Sequence, residues 1–381
     1  MSSSSTAPAI LHFVHWPVSG IIALLKALLQ QSDMQKYRHY LLLCEGNKSH
    51  LEFFDGLIEA GAVLESHGKL AVMTKLPELL RQWQPSLIHS HSFQPSFWTR
   101  CWRTADVPHL RTIHNCYPYF TDKGVAAAVK RKLEHWALSG SNTKTVAVSD
   151  QASQQFADAY QLPVETLVNG VNRRAVLEAA THAPTDADQW LARRNDKRVL
   201  VSCGRLHPQK GFDLAIEAFA RLRETHPKLE LWLIGEGEQR TQLESKASAL
   251  GIENQIVLLG HQSNPYWFLS QADIYLACSR YEGFGLATLE AMCLGLPVVA
   301  SPGATEPLGL SSESAFCLSE LTATDLAKGI SEVLNSDQLQ TKLAEQARVF
   351  SQHYSISYTA DAYLQHYAGM MGEALAESGS V

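Results

Sequence analysis

The sequence predicts an α/β protein of two doubly wound domains facing a central cleft. Three observations carry this. Short apolar runs alternate with longer helical patterns, the βαβ rhythm of parallel sheets covered on both faces. The rhythm breaks at one polar, aperiodic stretch, THAPTDADQWLARRNDK, and then restarts. The length of 381 residues suits two domains, at about 100–200 residues each.

In the first half, AILHFVH (Ala9–His15) reads as a strand and SGIIALLKALLQQ as a helix. HYLLLCEG is the next strand, and SHLEFFDGLIEAGA a helix with Gly61 near its end. PSLIHSHS, HLRTIHN and TKTVAVSDQ are three further strands. PVETLVNGVNRRAV closes this half with an Asn-Gly turn signal. The second half opens on strand KRVLVSCGRL and helix GFDLAIEAFARLRETHP. Strand LELWLIGEG, helix QRTQLESKASALG and strand QIVLLGH follow, then a short helix near NPYWFLSQA. Strand DIYLACS, a helix from Ala287 to Leu294 and strand LPVVAS complete the alternation. From Leu321 the pattern is helical. The predicted domains are therefore 1–178 and 179–355, with a helical tail, 356–381, packing back on the first. Ligands of such folds bind at the carboxyl ends of the strands.

Composition narrows the function. Hydrophobic residues are 45% and charged residues 18%, enough for a large core. The net charge of −6 gives nucleic-acid binding little support. Seven cysteines, none in a CxxC, fit reduced thiols in a cytosolic protein. MSSSSTAPA lacks the basic and apolar regions of a signal peptide and is expected to be a disordered start. No apolar run reaches the ~18 residues of a membrane span. The expected location is cytoplasmic.

The chemistry concentrates in CSRYEGFGLATLEAMCLG, Cys278 to Gly295. After strand DIYLACS, the stretch Ser279–Gly285 becomes a strand-to-helix loop. Gly283 and Gly285 permit a tight path and close ligand approach. Free N–H groups at the following helix start favour an anion. Glu282 sits on the loop and Glu290 about one turn into the helix. Carboxylates accept hydrogen bonds and sugar hydroxyls donate them. A ligand with phosphate in the middle and hydroxyls on both sides, such as a nucleoside diphosphate sugar, fits this pattern. Glu290 alone reads equally well as a helix residue suited to the dipole. The pair with the glycines favours a site.

Arg205 and Lys210 lie on the loop after strand RVLVSCG, just before a helix. Two cations there suit a diphosphate and stabilise its charge on departure without a metal. Solvated loop cations are the plainer reading.

GRLHPQKGFDLAIEAFA, LIGEGEQRTQLESKASALGIENQIVLLGH and SRYEGFGLATLEAMCLGLPVVAS together resemble, in order and spacing, the GT-B glycosyltransferases of family GT4. The resemblance is close from Asn169 to Thr305, and its centre is the E-x7-E signature from Glu282 to Glu290. The first half is similar more loosely, through IHSHS, TIHN, VAVSD and LVNGVN. The resemblance implies a GT-B fold of two Rossmann-like domains. It implies that Arg205 and Lys210 bind diphosphate, that Glu282 meets donor-sugar hydroxyls and that Glu290 meets the ribose. The amides of Gly283, Phe284, Gly285 and Leu286 would meet diphosphate and sugar. His114 matches a histidine that reaches the donor sugar from the first domain. Gly20 falls where the family has a glycine-rich loop, although WPVSGII has one glycine where a pair is common.

Other signals are weaker. GEGEQR lacks the third glycine of GxGxxG and reads, by the resemblance, as a loop near the nucleobase. Asp186 and Asp188 in TDAD form a D-x-D, read as solvated or helix-capping charge rather than a Mg²⁺ site. His89 and His91 share one face of a strand end. Zinc would need further ligands that no spacing supplies, so cleft-lining or hydrogen-bonded histidines are expected. VAAAVKRKLEHWAL reads as an amphipathic surface helix. Its Lys130, Arg131, Lys132 and Trp136 leave peripheral contact with the cytoplasmic face of the inner membrane as a second reading.

The expectation is a retaining, metal-independent transferase with no cofactor. A UDP- or GDP-linked sugar is its co-substrate and a carbohydrate or lipid-linked hydroxyl its acceptor, in bacterial cell-surface polysaccharide or glycolipid synthesis. No side chain stands out as a covalent nucleophile, which favours front-face transfer. A nucleotide-sugar epimerase of the same fold and a catalytically silent nucleotide-sugar binder are the alternatives. Product analysis separates them. A dehydrogenase is disfavoured, because no complete GxGxxG opens the first domain.

Overall fold

A computed structural model describes residues 7–15, 19–64, 71–103, 106–115, 124–140 and 142–372. The expected disordered start falls largely outside these residues. The described chain divides into two compact units, 1–170 with 356–381, and 171–355.

The first unit holds a seven-stranded sheet. Its strands are β1 (Ala9–Val14), β2 (Arg38–Leu43), β3 (Ala60–Val63), β4 (Leu87–His91), β5 (His109–Ile113), β6 (Thr143–Ala147) and β7 (Glu165–Thr166). They run in the order β3-β2-β1-β4-β5-β6-β7, all parallel. The second unit holds β8 (Arg198–Cys203), β9 (Leu229–Ile234), β10 (Ile256–Gly260), β11 (Ile274–Ala277), β12 (Val298–Ala300) and β13 (Phe316–Cys317). Their order is β10-β9-β8-β11-β12-β13, again parallel. Strand order reverses between β1 and β4 and between β8 and β11. These are the switch points beside which ligands of such sheets bind.

Helices cover both sheets because the strands are buried along their length. Val199, Leu200 and Val201 of β8 and Leu231 to Leu233 of β9 are fully buried. Helix Phe212–Leu222 closes over them with Phe212, Ala215, Ile216 and Phe219. In the first unit Arg111 of β5 is buried with Glu134, Nη2 to Oε1 2.5 Å, and Tyr160 donates to the other carboxylate oxygen at 2.5 Å. Glu134 is the one acidic residue of helix Val125–Leu138, and the fold turns it inward.

One expected helix is mostly something else. SHLEFFDGLIEAGA forms a short helix, Lys48–Glu52, and then strand β3. Gly56, at φ 76°, lies in the turn between them. Gly61 lies within the strand, where a Cβ would stand 2.8 Å from Leu51 Cδ2 and 3.2 Å from the Leu41 carbonyl oxygen. The glycine serves close packing on β2 rather than a helix end.

The junction between the units lies at Gly170, ahead of position 178. Val171 N donates to Tyr354 O at 2.9 Å, and helix Arg173–Ala179 belongs with the second unit. Helix Ile356–Met371 belongs with the first. Its buried Tyr367 and Tyr363 hydroxyls reach His89 Nδ1 at 2.7 Å and Thr112 Oγ1 at 3.0 Å. Among the described residues, no helix is long and apolar enough to cross a membrane.

Candidate active site

Two loops of the second unit are joined at the ends of β8 and β11. Gly211, at φ 67°, ends the 3-10 turn Pro208–Lys210. A Cβ there would stand 2.1 Å from the Cys278 carbonyl oxygen, so only glycine lets the backbones meet. Arg280 N donates to Gln209 O at 2.7 Å, and Gln209 Nε2 to Tyr281 O at 2.9 Å. Arg280 also forks onto both oxygens of Asp213, at 2.8 and 2.7 Å. This framework holds Lys210 Nζ 2.5 Å from Glu282 Oε1, which also accepts from Ser279 Oγ at 2.5 Å. Arg205, on the same loop as Lys210, is exposed and has no ion-pair partner among the described residues.

Helix Leu286–Cys293 starts at this point. Gly285 is its N-cap at φ 97°, and no side chain caps it. The first bond of the helix runs from Leu289 N to Gly285 O, 3.1 Å. The N–H groups of Leu286, Ala287 and Thr288 therefore have no acceptor within the helix. Such an end attracts an anion through both the open donors and the dipole. Phe284 is buried against Tyr354, ring centroids 5.6 Å apart. Its contribution to a ligand is confined to its backbone.

Glu290 lies one turn in. Tyr266 donates to Glu290 Oε1 at 3.0 Å, and burial raises the carboxyl to about 7. The Tyr266 phenol is raised as well, first by burial and then by Glu290. Sequence reasoning missed Tyr266, because only the fold brings helix Pro265–Ser270 beside Glu290.

The glycines of GEGEQR serve packing. A Cβ at Gly235 would stand 1.9 Å from Gly204 O, and one at Gly237 2.4 Å from Leu206 O. The GEGEQR loop is thereby locked onto the loop carrying Arg205. Asp186 accepts from Trp190 Nε1 at 2.9 Å, at the N-cap of helix Ala187–Arg194, and Asp188 lies in that helix's first turn. Both act as helix-end charge.

The first unit holds His114 and Gly20. Gly20 is exposed in helix Ser19–Leu29, and nothing lies within 4 Å of a Cβ built there. Residues 16–18 of the glycine loop lie outside the described residues. His114 follows β5, and its Nε2 is 2.8 Å from His91 Nδ1. Burial lowers His114 to about 4. His91 belongs to a buried row that sequence spacing did not reveal. His12 Nε2 is 3.1 Å from His39 Nδ1, and His39 Nε2 is 2.8 Å from Met34 O. His12, His89 and His91 bring three nitrogens within 4.8 Å of one another. His89, however, spends both of its nitrogens on hydroxyls, Tyr367 at 2.7 Å and Thr112 at 2.7 Å. The row is thus a hydrogen-bonded network rather than a tetrahedral metal cage.

Two doubly wound parallel sheets, with a cation-bearing loop and an uncapped helix at one switch point, define a nucleotide-type α/β architecture. Known proteins specify it. The family described as Glycosyl transferases group 1 matches residues 185–350, and Glycosyltransferase Family 4 matches residues 63–174. An uncharacterized glycosyltransferase of Haemophilus influenzae is 30% identical over 164 residues, 42% of this chain and 46% of that protein. The lipopolysaccharide core biosynthesis glycosyltransferase LpsE of Rhizobium meliloti is 32% identical over 172 residues, 45% of this chain and 49% of that protein. The chain thus spans about half the length of these curated relatives. HepE of Anabaena, solved with UDP and glucose, superposes with a TM-score of 0.80 at 18% identity, over 95% of this chain and 100% of that one. Over residues 63–174 and 185–350 the chain is thus similar to the family 4 glycosyltransferases, and its fold is the GT-B fold of the solved structures it superposes on.

Proposed function

We propose that the protein moves a sugar from a nucleoside diphosphate sugar to an acceptor hydroxyl, with retention of configuration and without a metal. The observation that carries this is the Lys210–Glu282 pair set beside the uncapped start of helix Leu286–Cys293. An incoming diphosphate competes with Glu282 for Lys210. As Lys210 turns to phosphate, Glu282 becomes an open acceptor for sugar hydroxyls. Arg205 adds a second cation, and the amides of Gly283 to Leu286 add donors.

Glu290 accepts from the ribose hydroxyls, and His114 is assigned to the donor sugar by the family resemblance. Gly20 belongs by the same resemblance to the glycine loop. The charge that develops on the leaving diphosphate is met by Arg205, Lys210 and the helix start, which requires no Mg²⁺. With no covalent nucleophile among these groups, the departing diphosphate accepts the acceptor's proton. Binding and orientation then supply the rate.

The donor is UDP- or GDP-linked. LpsE supports a carbohydrate or lipid-linked acceptor in cell-surface glycolipid synthesis, on the cytoplasmic side of the membrane, with or without peripheral contact. The test is a transfer assay with UDP- and GDP-sugars and lipooligosaccharide acceptors, with the new anomeric linkage read by NMR. A retained configuration supports the reading. An inverted linkage, or release of an epimer with no transfer, overturns it.

A further inference from the structure

Helix Val125–Leu138 of the first unit faces the opposite way from an ordinary surface helix. Such a helix sets its apolar stripe on the core and its charges in water. Here Glu134, the one acidic residue of the helix, is buried in an ion pair with Arg111. Val125, Val129, Leu133 and Trp136 face solvent instead, at 82, 50, 42 and 43% exposure. At about 3.6 residues per turn these four form one stripe. Among the described residues, every other helix exposes one large hydrophobic side chain at most.

The stripe is bordered by cations. Lys132 is exposed on one side of it. On the other stands helix Phe93–Trp102, which carries no acidic residue. Its Arg100 lies 5.3 Å from the centre of the Trp136 ring, and Lys130 reaches to 6.0 Å from that of Phe93. Trp136 also packs on Phe97, ring centroids 5.7 Å apart. Between them the two helices hold Arg100, Lys130, Arg131 and Lys132, and their one carboxylate is the buried Glu134. This stands in a chain whose net charge is −6.

The charges choose among possible occupants. A nucleic acid would take the cations and leave the apolar stripe in water. A second copy across a two-fold axis would set the cations against one another. An anionic lipid surface satisfies both features. Acyl chains cover the stripe, headgroup phosphates meet the cations, and lysine stems lie along the stripe with their ammonium groups reaching outward.

We propose that helix Val125–Leu138 is a membrane-docking element, which lies along an anionic phospholipid surface with Val125, Val129, Leu133 and Trp136 at the acyl boundary and Arg100, Lys130 and Lys132 at the headgroups. The docking concerns where the protein sits and does not depend on the transferase reading.

Sedimentation of the full chain with vesicles tests this. One set is phosphatidylcholine alone, and the other is equal parts phosphatidylcholine and phosphatidylglycerol. The proposal expects binding to the anionic set, weaker binding to the neutral set, and a fall in binding as salt is raised. Lys130→Gln/Lys132→Gln should weaken the partition by about thirtyfold. Val125→Ser/Val129→Ser should weaken it by about tenfold or more at an unchanged melting temperature, because both side chains already stand in water. Equal binding to the two sets, binding unchanged in either variant, or no binding to either set overturns the proposal. So does a wild type that runs as a dimer beside a Val125→Ser/Val129→Ser variant that runs as a monomer, which makes the stripe a contact between copies. No vesicle binding beside full transfer to a soluble acceptor overturns the docking and leaves the transferase reading standing. Vesicle binding that both variants lose, with no transfer to any acceptor, supports the docking and overturns that reading.

Discussion

Lys210 Nζ and Glu282 Oε1 stand 2.5 Å apart, although 72 residues separate them in the chain. The contact joins the ends of β8 and β11, the strands at which the second sheet reverses its order. It holds a cation and a carboxylate in mutual contact. Both side chains are mostly shielded, which makes the pair more than a surface ion pair.

Glu282→Ala should lower kcat by about a hundredfold while the fold persists. The carboxylate is lost as an acceptor for sugar hydroxyls, but the Arg280–Asp213 fork still ties the loops. Steady-state kinetics beside a thermal melt measure this. Wild-type turnover in the variant removes Glu282 from the site.

Arg205→Ala should weaken nucleoside diphosphate binding by about tenfold or more, the loss of one charge-assisted contact. Arg205 has no ion-pair partner in the described chain, so its removal leaves stability unchanged. Calorimetric titration reads both quantities. Unchanged affinity contradicts the phosphate role.

Donor affinity should rise with pH across about 7. Glu290 is raised to about 7 by burial, and hydroxyl donors favour its ionised form. The same shift affects stability, with the sign opposite to that of a salt-bridged acid. The unfolded carboxyl releases its proton near 4.5, while the folded one keeps it to about 7. Between these values the native state binds more protons, so stability falls as pH rises through that window. Glu290→Gln should flatten this slope and the pH dependence of binding. A melt series from pH 4 to 8 that shows the same slope in both proteins contradicts the assignment.

Glu134→Ala should destabilise the first unit by about 3–5 kcal/mol, because it leaves the buried Arg111 without its counter-charge. Chemical denaturation measures the loss. A change below about 1 kcal/mol would mean that water reaches Arg111.

Activity should persist in excess EDTA. Asp186 accepts from Trp190 at a helix start, and Asp188 lies in that helix's first turn, so both read as helix-end charge. Full loss of turnover on chelation, restored by Mg²⁺, contradicts this.

Much of the fold was legible in the sequence because most of its strands are apolar runs bounded by turns, and strands of that kind need no partner to be recognised. β3 was not legible. AGAV is short and directly follows FFDGLIE, whose spacing reads as helix, and only contact with β2 makes it a strand. β13, with two residues, gives no periodicity at all. The site divides in the same way. Arg205, Lys210, Glu282 and Glu290 announce themselves as charges among glycines and apolar residues. Tyr266 and the row from Met34 to His114 come from distant segments, and nothing local marks them. His12 in AILHFVH looks like a polar interruption of a strand, and its meaning appears only when β4 is placed beside it.

The central claim is that the loops after β8 and β11 hold a nucleoside diphosphate. Calorimetric titration of UDP, GDP and ADP into the wild-type protein and an Arg205→Ala/Lys210→Ala double variant tests it most directly. The account predicts that one of these nucleotides binds the wild type, raises its melting temperature, and loses its affinity in the double variant. Binding of equal strength in both proteins, or of none of the three to the wild type, would contradict it.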